Sequence, residues 1–496
     1  MGERGVGGRV SWHVRVVRNR YADSVRLMSI ARAVRGCDGV NRCELTMGTP
    51  ANLELLAQAG AVADASPADL VIAVEARDGA AQDALALAEE ELRSLRGSEH
   101  DGARAARAAP RSLARAAADL DGANVAIISV PGEYAALEAH QALSTGMHVF
   151  LFSDHVPVQA ELELKRRGAE LGLLVMGPEC GTAMLGGIGL GFANVVRPGS
   201  VGIVAAAGTG AQESACLLDA AGVGVSHIVG VGGRDLSAEV GGIMFKQGMR
   251  LLAQDDGTDT LLLVSKPPSR EAVAALGDAV PDGVRVVAAF VGWDGSDAAF
   301  EVHPTLEAGA AAAAGTPGPE VGALEREVLA RREDSAGRLL LGLFSGGSLA
   351  YEAATILEPG LGPLAGNVGH GPAAADGAHA LFDLGEAQYT QGRPHPMVDL
   401  EVRIGMLERA AADPRVGCVL LDLVLGFGGH PDPAGGLADS LRRVADRAQV
   451  IAHVCGTDDD PQDATRQGQV LSDAGVVVAP SNAAAARLAL HALKET

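Results

Sequence analysis

The alternation of apolar and polar positions divides the N-terminal part of the chain into short strands and amphipathic helices. Three segments have the length and composition of strands: VSWHVRVV (10–17), CELTMG (43–48) and DLVIAVEA (69–76). Helices are predicted after each of them, the first capped by Asp23 or Ser24 and the second carrying Pro50 in its first turn. The polar, aperiodic stretch 97–111 then predicts a linker.

From Asp121 onward, strands and helices alternate regularly. The segments NVAIISVPG, HVFLFSD and GLLVMGP are predicted strands, separated by helices near 134–145 and 156–169. This alternation is typical of a doubly wound parallel sheet, whose ligands bind at the carboxyl ends of the strands. The candidate binding residues at those ends are Gly132, Glu133, Ser153 and Asp154. Because no G-x-G-x-x-G follows a strand here, the pattern disfavours a bound dinucleotide.

A unit of strand, glycine-rich loop and helix occurs twice in the second half of the chain. The segment GSVGIVAAAGTGAQESACLL (199–218) resembles RLLLGLFSGGSLAYEAATIL (338–357). Three further pairs follow in the same order: the glycine-dense segments 229–242 and 364–377, the buried strands 260–268 and 416–429, and the strands 284–292 and 449–456. We therefore predict an internal duplication, with 309–322 as the interdomain linker.

The two glycine-rich loops are candidate anion sites. A loop between a strand and a helix start presents unpaired backbone N–H groups, and the helix dipole adds partial positive charge. The alternative is a tight turn that needs glycine only for close packing, and two equivalent loops favour the anion site. Neither loop ends in G-K-[ST], so a standard P-loop is not predicted. The candidate ligands are Gly208, Thr209 and Gly210 in the first loop and Ser345, Gly346, Gly347 and Ser348 in the second.

Four further residues are candidates for catalytic roles. Arg234 could clamp a carboxylate or phosphate, although a surface pair with Asp235 explains it equally well. Arg393 and His395 lie in the proline-stiffened segment GRPHPMVD, which favours a functional loop over an ordinary rigid one. His370, in GNVGHG, is a candidate nucleophile or anion donor.

Composition and charge restrict the possible partners. The chain of 496 residues is 48% hydrophobic and carries a formal net charge of −22, without a basic stripe. These values predict no nucleic-acid partner. Six widely spaced cysteines indicate a reducing compartment, and apolar runs far shorter than a membrane span predict a soluble, cytoplasmic protein. No His or carboxylate cluster has metal-ligand spacing, so no tightly bound metal is predicted.

Several segments together resemble one known family. The segments VPGEYAALEAHQAL, GFANVVRPGSVGIVAAAGTGAQE, GVGGRDLSAEVGGI, DLGEAQYTQGRPHPMVD and VLGFGGHPDPA look like FdrA proteins, which are similar to succinyl-CoA synthetases. The resemblance covers nearly the whole chain. It implies an α/β fold of doubly wound parallel-sheet domains, with a CoA-binding Rossmann-like domain and two tandem flavodoxin-like ligase domains. The expected boundaries are 1–120 for an N-terminal α/β domain with linker, 121–197 for the CoA-binding-like domain, and 198–320 and 337–496 for the ligase domains.

The resemblance also implies a chemistry. Succinyl-CoA synthetases hold a phosphohistidine between two helix N-termini, and here both loops lie in one chain. The chain departs from them at Ala207, where the synthetases carry Ser, and it lacks their G-H-A-G-A motif, with His303 near that place. FdrA proteins are implicated in allantoin breakdown as subunits of an oxamate carbamoyltransferase, which converts oxalurate and phosphate to oxamate and carbamoyl phosphate.

Three functions therefore stay open. The first is a carbamoyltransferase-type subunit that binds phosphate or carbamoyl phosphate on the twin loops, with no tightly bound cofactor and CoA possible. The second is an acyl-CoA ligase that uses a phosphohistidine at His303, His370 or His430 and a separate nucleotide-binding subunit. The third is a non-catalytic scaffold that binds CoA or an anion. Each predicts an oligomer with companion subunits and an anionic small-molecule substrate.

Overall fold

The computed structural model consists of two compact units, one of residues 1–109 with 391–394 and one of residues 110–390 with 395–496. The residues that it describes are 10–20, 22, 24–98, 110, 112–120, 122–293, 295, 298–332, 337–368, 377–390 and 394–493. Among these residues, no helix combines the length and the apolar character needed to cross a bilayer.

The N-terminal unit is a three-stranded sheet with three helices. Its elements in chain order are β1 (Val10–Val17), α1 (Ser24–Arg35), β2 (Val40–Met47), α2 (Pro50–Gln58), β3 (Leu70–Arg77) and α3 (Asp78–Ser98). The predicted strands and helices of this region are confirmed. The strand order is β1-β3-β2, and both neighbours of β3 run antiparallel to it. β3 lies at the centre of the sheet, and the side chains of its first four residues are fully buried. This burial agrees with the unbroken apolar run in its sequence.

The other unit begins with a small parallel sheet. Its elements are α4 (Leu113–Asp119), β4 (Val125–Ile128), α5 (Gly132–Ser144), β5 (His148–Leu151), α6 (Val158–Leu171) and β6 (Val175–Met176). The three strands pair in parallel in the order β4-β5-β6, with helices between successive strands. The predicted strand and helix alternation is confirmed here.

The first copy of the duplicated unit forms a seven-stranded sheet of order β13-β12-β11-β9-β10-β7-β8. Its elements are β7 (Thr182–Leu185), β8 (Ile188–Gly191), β9 (Pro198–Ala205), α7 (Gly208–Ala220), β10 (Val225–Gly230), α8 (Ile243–Leu252), β11 (Thr260–Ser265), α9 (Arg270–Gly277), β12 (Arg285–Phe290), β13 (Glu301–His303) and α10 (Leu306–Ala314). β9 to β13 are parallel, and the hairpin β7–β8 joins β10 in antiparallel pairing.

The second copy forms a six-stranded parallel sheet of order β15-β16-β14-β17-β18-β19. Its elements are α11 (Gly322–Arg332), β14 (Leu339–Phe344), α12 (Gly347–Leu361), β15 (Ala365–Gly366), β16 (Ala380–Asp383), α13 (Ala387–Thr390), α14 (Glu401–Ala412), β17 (Val416–Val424), α15 (Pro433–Ala445), β18 (Gln449–Cys455), α16 (Ala464–Asp473), β19 (Val477–Ala479) and α17 (Asn482–Leu493).

The strand orders confirm the predicted duplication. The order β10-β9-β11-β12-β13 of the first sheet has the same connectivity as β16-β14-β17-β18-β19 of the second. One part of the predicted correspondence was wrong, because segment 229–242 lies after β10 whereas 364–377 lies before β16. The predicted linker 309–322 was also placed too early. Its first residues continue the alanine-rich helix α10, in which Gly309 allows close contact with Ala289.

Buried polar groups link the two copies. Glu213 on α7 and Glu352 on α12 are both the sixth residue of their helices, and both are buried. Glu213 Oε2 lies 2.7 Å from Nε2 of His453, and Glu213 Oε1 accepts from the Asn482 N–H at 3.1 Å. The Asn482 side chain also donates to Glu352 at 2.7 Å. Asn482 at the start of α17 therefore bridges the two equivalent carboxyl groups.

The protonation of this cluster depends on burial and on its charges. Burial by itself would lower the pKa of His453, but the Glu213 carboxylate outweighs burial and raises that pKa. Burial by itself would raise the pKa of Glu213, yet His453 and the hydrogen bonds lower it. Burial raises the pKa of Glu352 to about 7. Glu213 and His453 are therefore a buried ion pair between the copies.

Replacing Glu213 by Gln should destabilise the protein, because it leaves the buried His453 without its counter-charge. We expect a loss of about 3 kcal/mol in the free energy of unfolding by urea denaturation. The lowered pKa of Glu213 stabilises the folded protein fully at pH values above the pKa that Glu213 has in the unfolded chain. The raised pKa of His453 stabilises it fully at pH values below the pKa that His453 has in the unfolded chain. The loss should therefore be greatest near pH 5.5, between those two values (~4.3 and ~6.5).

The control is Ser214→Ala at the neighbouring position, whose buried hydroxyl has no hydrogen-bond partner within the described ranges. It should leave the free energy of unfolding unchanged or raise it slightly. Equal losses for the two variants, or a loss that is independent of pH, would contradict the ion-pair assignment.

Candidate functional site

The N-termini of α7 and α12 meet inside the duplicated region. The Ser348 N–H donates to Oγ1 of Thr209 at 3.3 Å. A Cβ on Gly346 would lie 3.0 Å from the Thr209 side chain, so the close approach of the two helix starts needs glycine at this position. The two predicted glycine-rich loops therefore lie against each other.

Backbone N–H groups remain at both helix starts. In α7 the first intrahelical bond runs from Ala211 N to Ala207 O, which leaves the amides of Gly208, Thr209 and Gly210 ahead of it. In neither helix does the side chain of the N-cap residue accept a hydrogen bond from the first turn. Two helix ends whose remaining amides face one cavity form an electropositive site for an anion.

A buried carboxylate occupies part of the second loop. Asp422, at β17, accepts from the Ser345 N–H at 2.8 Å, the Ser345 hydroxyl at 3.0 Å and the Gly346 N–H at 2.8 Å. Arg403 donates to the same carboxylate at 3.0 Å. Because these bonds use the Ser345 and Gly346 amides, the Gly347 amide is the next one that faces a ligand.

The helix starts open into a cavity of about 880 Å³. One wall comes from the small sheet, through the ends of β4 and β5, and the other walls come from both ligase-like sheets. Acidic residues outnumber basic ones on these walls, so positive potential is confined to the helix ends and one lysine. The charged side chains that line the cavity are Asp154, Glu179, Lys266, Asp383 and Glu386, together with His155 and His395.

Lys266 and Asp383 lie beside the start of α12. A Cβ on Gly347 would lie 3.5 Å from Lys266 Nζ and would overlap Asp383 Oδ2. Within the part of the chain that the structure describes, Lys266 makes no hydrogen bond or ion pair. Asp383 is 8% exposed, and its Oδ1 accepts from the Gly385 N–H at 2.9 Å. Burial raises the pKa of Asp383 to about 6, although Lys266 opposes this shift.

His395 lies on the same side of the cavity. Its ring centroid is 5.9 Å from that of Phe192, and a Cβ on Gly385 would lie 2.7 Å from its Nε2. Burial lowers the pKa of His395 to about 4, so the ring is neutral at pH 7. Nδ1 accepts from the Met397 N–H at 3.3 Å, which assigns the proton to Nε2. His395 can therefore donate a hydrogen bond without carrying charge.

The structure brings together many of the residues predicted from the sequence. The predicted residues that line the cavity are Ser153, Asp154, Gly208, Thr209, Ser345, Gly347, Ser348 and His395. Ser153 is buried, and its hydroxyl has no hydrogen-bond partner among the residues that the structure describes. Gly210 lies in the first turn of α7 and Gly346 is the N-cap of α12, and neither is among the lining residues.

Other predicted residues lie elsewhere. Arg234 pairs with Glu161 at 2.8 Å and donates to the Val156 carbonyl at 2.9 Å, outside the cavity lining. Gly132 begins α5, where a Cβ would overlap the Asp154 carbonyl oxygen, and Glu133 follows it in the first turn. His370 and Arg393 lie outside the described residues.

The two alternative histidines are also away from the cavity lining. His303 Nε2 lies 2.9 Å from Glu301 on the edge strand β13. His430 is buried, and its Nδ1 accepts from the Asp432 N–H at 3.1 Å.

Two residues were missed by the sequence reasoning. Lys266 directly follows β11, and Asp383 is the last residue of β16. Both are at the carboxyl end of a parallel strand, which is the position where such sheets bind ligands. Extended from the small sheet to the duplicated unit, the same strand-end rule indicates both Lys266 and Asp383.

Two family matches cover much of the chain. The CoA-ligase family matches residues 343–492, and a family described as "AllF, heavy metal-associated domain" matches residues 10–109. The first match covers the second copy of the duplicated unit. The second covers the N-terminal unit.

Individual proteins show similarity of different extent. "Uncharacterized protein YahF" of Escherichia coli K12 is 35% identical over 94% of this chain and 95% of its own length. "Succinate--CoA ligase [ADP-forming] subunit alpha 2" of Archaeoglobus fulgidus is 33% identical over 31% of this chain and 54% of its own length. The chain thus spans about half the length of that ligase subunit.

Among solved structures, a dinucleotide-forming acetyl-coenzyme A synthetase of Ca. Korarchaeum cryptofilum matches 75% of this chain and 82% of its own, with 15% identity and a TM-score of 0.28. The CoA-ligase family match and the parallel sheets together confirm the predicted succinyl-CoA-synthetase-type fold.

The description of the N-terminal family raises the question of a metal. In that unit, Cys43 is buried in β2, and burial raises the pKa of its thiol to about 12. Cys37 is the other cysteine of the unit. Among the described residues, no group of three or more His, Cys, Asp or Glu side chains could hold a metal ion. The described residues therefore do not fit a bound heavy metal.

Replacing Asp383 by Asn should stabilise the protein at neutral pH. In wild type the folded pKa of about 6 exceeds the ordinary pKa of an aspartate, 3.8, so stability falls as pH rises between these values and stays lower above them. We expect Asp383→Asn to raise the free energy of unfolding by about 2 kcal/mol at pH 7.5, with no gain at pH 4.

Asp439→Asn serves as the matched control, because its carboxylate is exposed and pairs only with the exposed Arg442. Its effect on urea denaturation should be small at both pH values. A destabilised Asp383→Asn at pH 7.5 would contradict the assignment of Asp383 as a carboxyl group that resists ionisation.

Proposed function

The chain belongs to the FdrA family of succinyl-CoA-synthetase-like proteins, and from this premise we propose that it is a subunit of a carbamoyltransferase. The reaction is the phosphorolysis of oxalurate to oxamate and carbamoyl phosphate, or its reverse. The observation that carries the proposal is the meeting of two helix N-termini beside Lys266, in a cavity that the neutral His395 also lines.

Phosphate binds at the paired helix ends in this proposal. The free amides of Gly208 to Gly210 and of Gly347 donate to its oxygens, and Lys266 supplies the full positive charge. Succinyl-CoA synthetases use such a pair of helix ends to hold a phosphorylated side chain. Free phosphate fits the same geometry and can itself be the nucleophile.

The carbamoyl group lies next to the phosphate. His395 is neutral and carries its proton on Nε2, so it can stabilise the oxyanion that forms when phosphate attacks the carbonyl carbon. Ser153, whose buried hydroxyl has no partner in the described part of the chain, is the contact that we assign to the substrate carboxylate. Each preorganised donor of this kind supplies about 3 kcal/mol in the transition state.

Companion subunits complete the enzyme. The ligase relatives are named as α subunits, and the walls of the cavity are open to solvent at the exposed side chains of Lys266 and Glu386. We therefore propose that activity requires the assembled complex, and we assign the opening as the side where a companion subunit contributes residues.

A second candidate function is an acyl-CoA ligase subunit. The match of residues 343–492 to the CoA-ligase family favours it. In that case the wall formed by Ser129 to Pro131 and Phe152 to His155 would hold CoA, which would supply the thiol that accepts the acyl group. Acid-labile, base-stable label on the chain after incubation with labelled ATP and its partner subunit would favour this alternative.

Replacing Lys266 by Met should lower kcat/KM for phosphate by about one hundredfold in the reconstituted complex. The reason is the loss of the cation beside the phosphate at the helix ends. Carbamoyl phosphate formation from oxalurate and phosphate is the measurement.

Lys246→Met, on α8 and away from the cavity, is the matched control and should retain wild-type activity. A wild-type complex with all companion subunits that forms no carbamoyl phosphate would exclude the proposed reaction. A fully active Lys266→Met variant would exclude the proposed phosphate position.

A further inference from the structure

One carboxyl group lies where an anion is expected to bind. Asp383 Oδ2 is next to Gly347, the first residue of α12, and makes no hydrogen bond to the described residues. A bound dianion at this helix end would therefore lie beside an aspartate. Two ionised groups this close repel, and the burial of Asp383 strengthens the repulsion.

We propose that Asp383 takes up a proton when a phosphate-like dianion binds at the start of α12, and that it then delivers this proton to the leaving amide nitrogen. The first half of this inference is independent of the reaction. The second half rests on the proposed carbamoyl transfer.

The surroundings of Asp383 favour proton uptake. It is buried, and the acidic groups that face it are Glu386 from its own loop and Asp422 from β17. Asp422 is compensated by Arg403 at 3.0 Å, and His395, beyond Gly385, is neutral. Lys266 favours the ionised form of Asp383 in the unliganded site. An anion that binds to Lys266 removes this stabilisation, so the carboxyl group becomes protonated.

Because burial already raises the pKa of Asp383, a moderate further rise on anion binding is enough to protonate this group at neutral pH. Its pKa is already raised to about 6 in the unliganded protein. A nearby dianion that raises this pKa to about 8 leaves the group mostly protonated at pH 7.

The chemical step then balances. A phosphate oxygen forms a bond to the carbamoyl carbon, and the bond from that carbon to the amide nitrogen breaks. The electron pair goes to the nitrogen, which receives the proton of Asp383 and leaves as a neutral primary amide. The phosphate hydroxyl returns one proton to the Asp383 carboxylate. No oxidant, metal or further co-reactant is needed.

Sulfate binding to the full-length chain tests the first half. Sulfate is a suitable probe because it does not titrate near pH 7, whereas phosphate does. Calorimetric titration in buffers of different ionisation heat should show uptake approaching one proton per sulfate. The wild-type affinity should fall about fivefold from pH 7 to pH 8, because the pKa of about 6 in the free protein and about 8 in the sulfate complex give this change.

Asp383→Asn should bind sulfate without proton uptake, and its affinity should change less than about twofold between the same pH values. Glu386→Gln removes a neighbouring, exposed carboxylate and should keep the proton uptake that wild type shows on sulfate binding. Sulfate binding by wild type without proton uptake, equal uptake by Asp383→Asn, or no sulfate binding at all would overturn the inference. Proton uptake by the wild-type protein is by itself a test of the inference, so the inference can be overturned even if Asp383→Asn fails to fold.

The second half is tested in the assembled complex. Asp383→Asn should lower kcat by about one hundredfold while the KM for phosphate does not rise. If wild type and variant are equally active, Asp383 is not the proton donor, although the proposed reaction stands. If wild type makes no carbamoyl phosphate while the proton uptake on sulfate binding still depends on Asp383, the proposed reaction fails and the proton linkage stands.

Discussion

The head-on meeting of α7 and α12 is the constraint on which the site depends. Each helix N-terminus carries about half a positive charge, so two such ends in contact repel each other. The fold opposes this repulsion with short contacts such as Thr209 to Ser348 and with carboxyl groups close to the second helix end. The remaining positive potential is directed into one cavity.

Carboxyl groups lie at two depths near the paired helix ends, where they offset the positive potential of these ends. Asp422 is fully engaged by the loop and by Arg403, so it is a structural part of the α12 start. Asp383 has one free oxygen and reaches the cavity. Deeper in the protein, Glu213 and Glu352 occupy equivalent positions of the two helices and are joined through Asn482. The duplication thus repeats both the helix ends and the buried carboxyl groups behind them.

The two copies are not equivalent in their chemistry. The register places Leu343 beside Leu421 in the second copy and Val204 beside Leu263 in the first, so Val264 occupies the position of Asp422. Only the second loop therefore has its amides used by a carboxylate. In the first loop the amides of Gly208, Thr209 and Gly210 lie ahead of the first intrahelical bond, and Lys266 comes from the end of β11. Divergence between the copies leaves more open amides at the start of α7 and gives the start of α12 a titratable neighbour, Asp383.

The sequence by itself determined the strands and helices, the duplication and the two loops, because period, glycine spacing and apolar runs are local properties of the chain. It also indicated Ser153, Thr209 and His395, which line the cavity. It could not indicate that Arg234 pairs with Glu161, or that Lys266 and Asp383 converge on Gly347. These residues come from distant segments, and only the packing of two sheets decides which strand ends face one another. The protonation of Asp383 likewise depends on burial, which exists only in the folded protein.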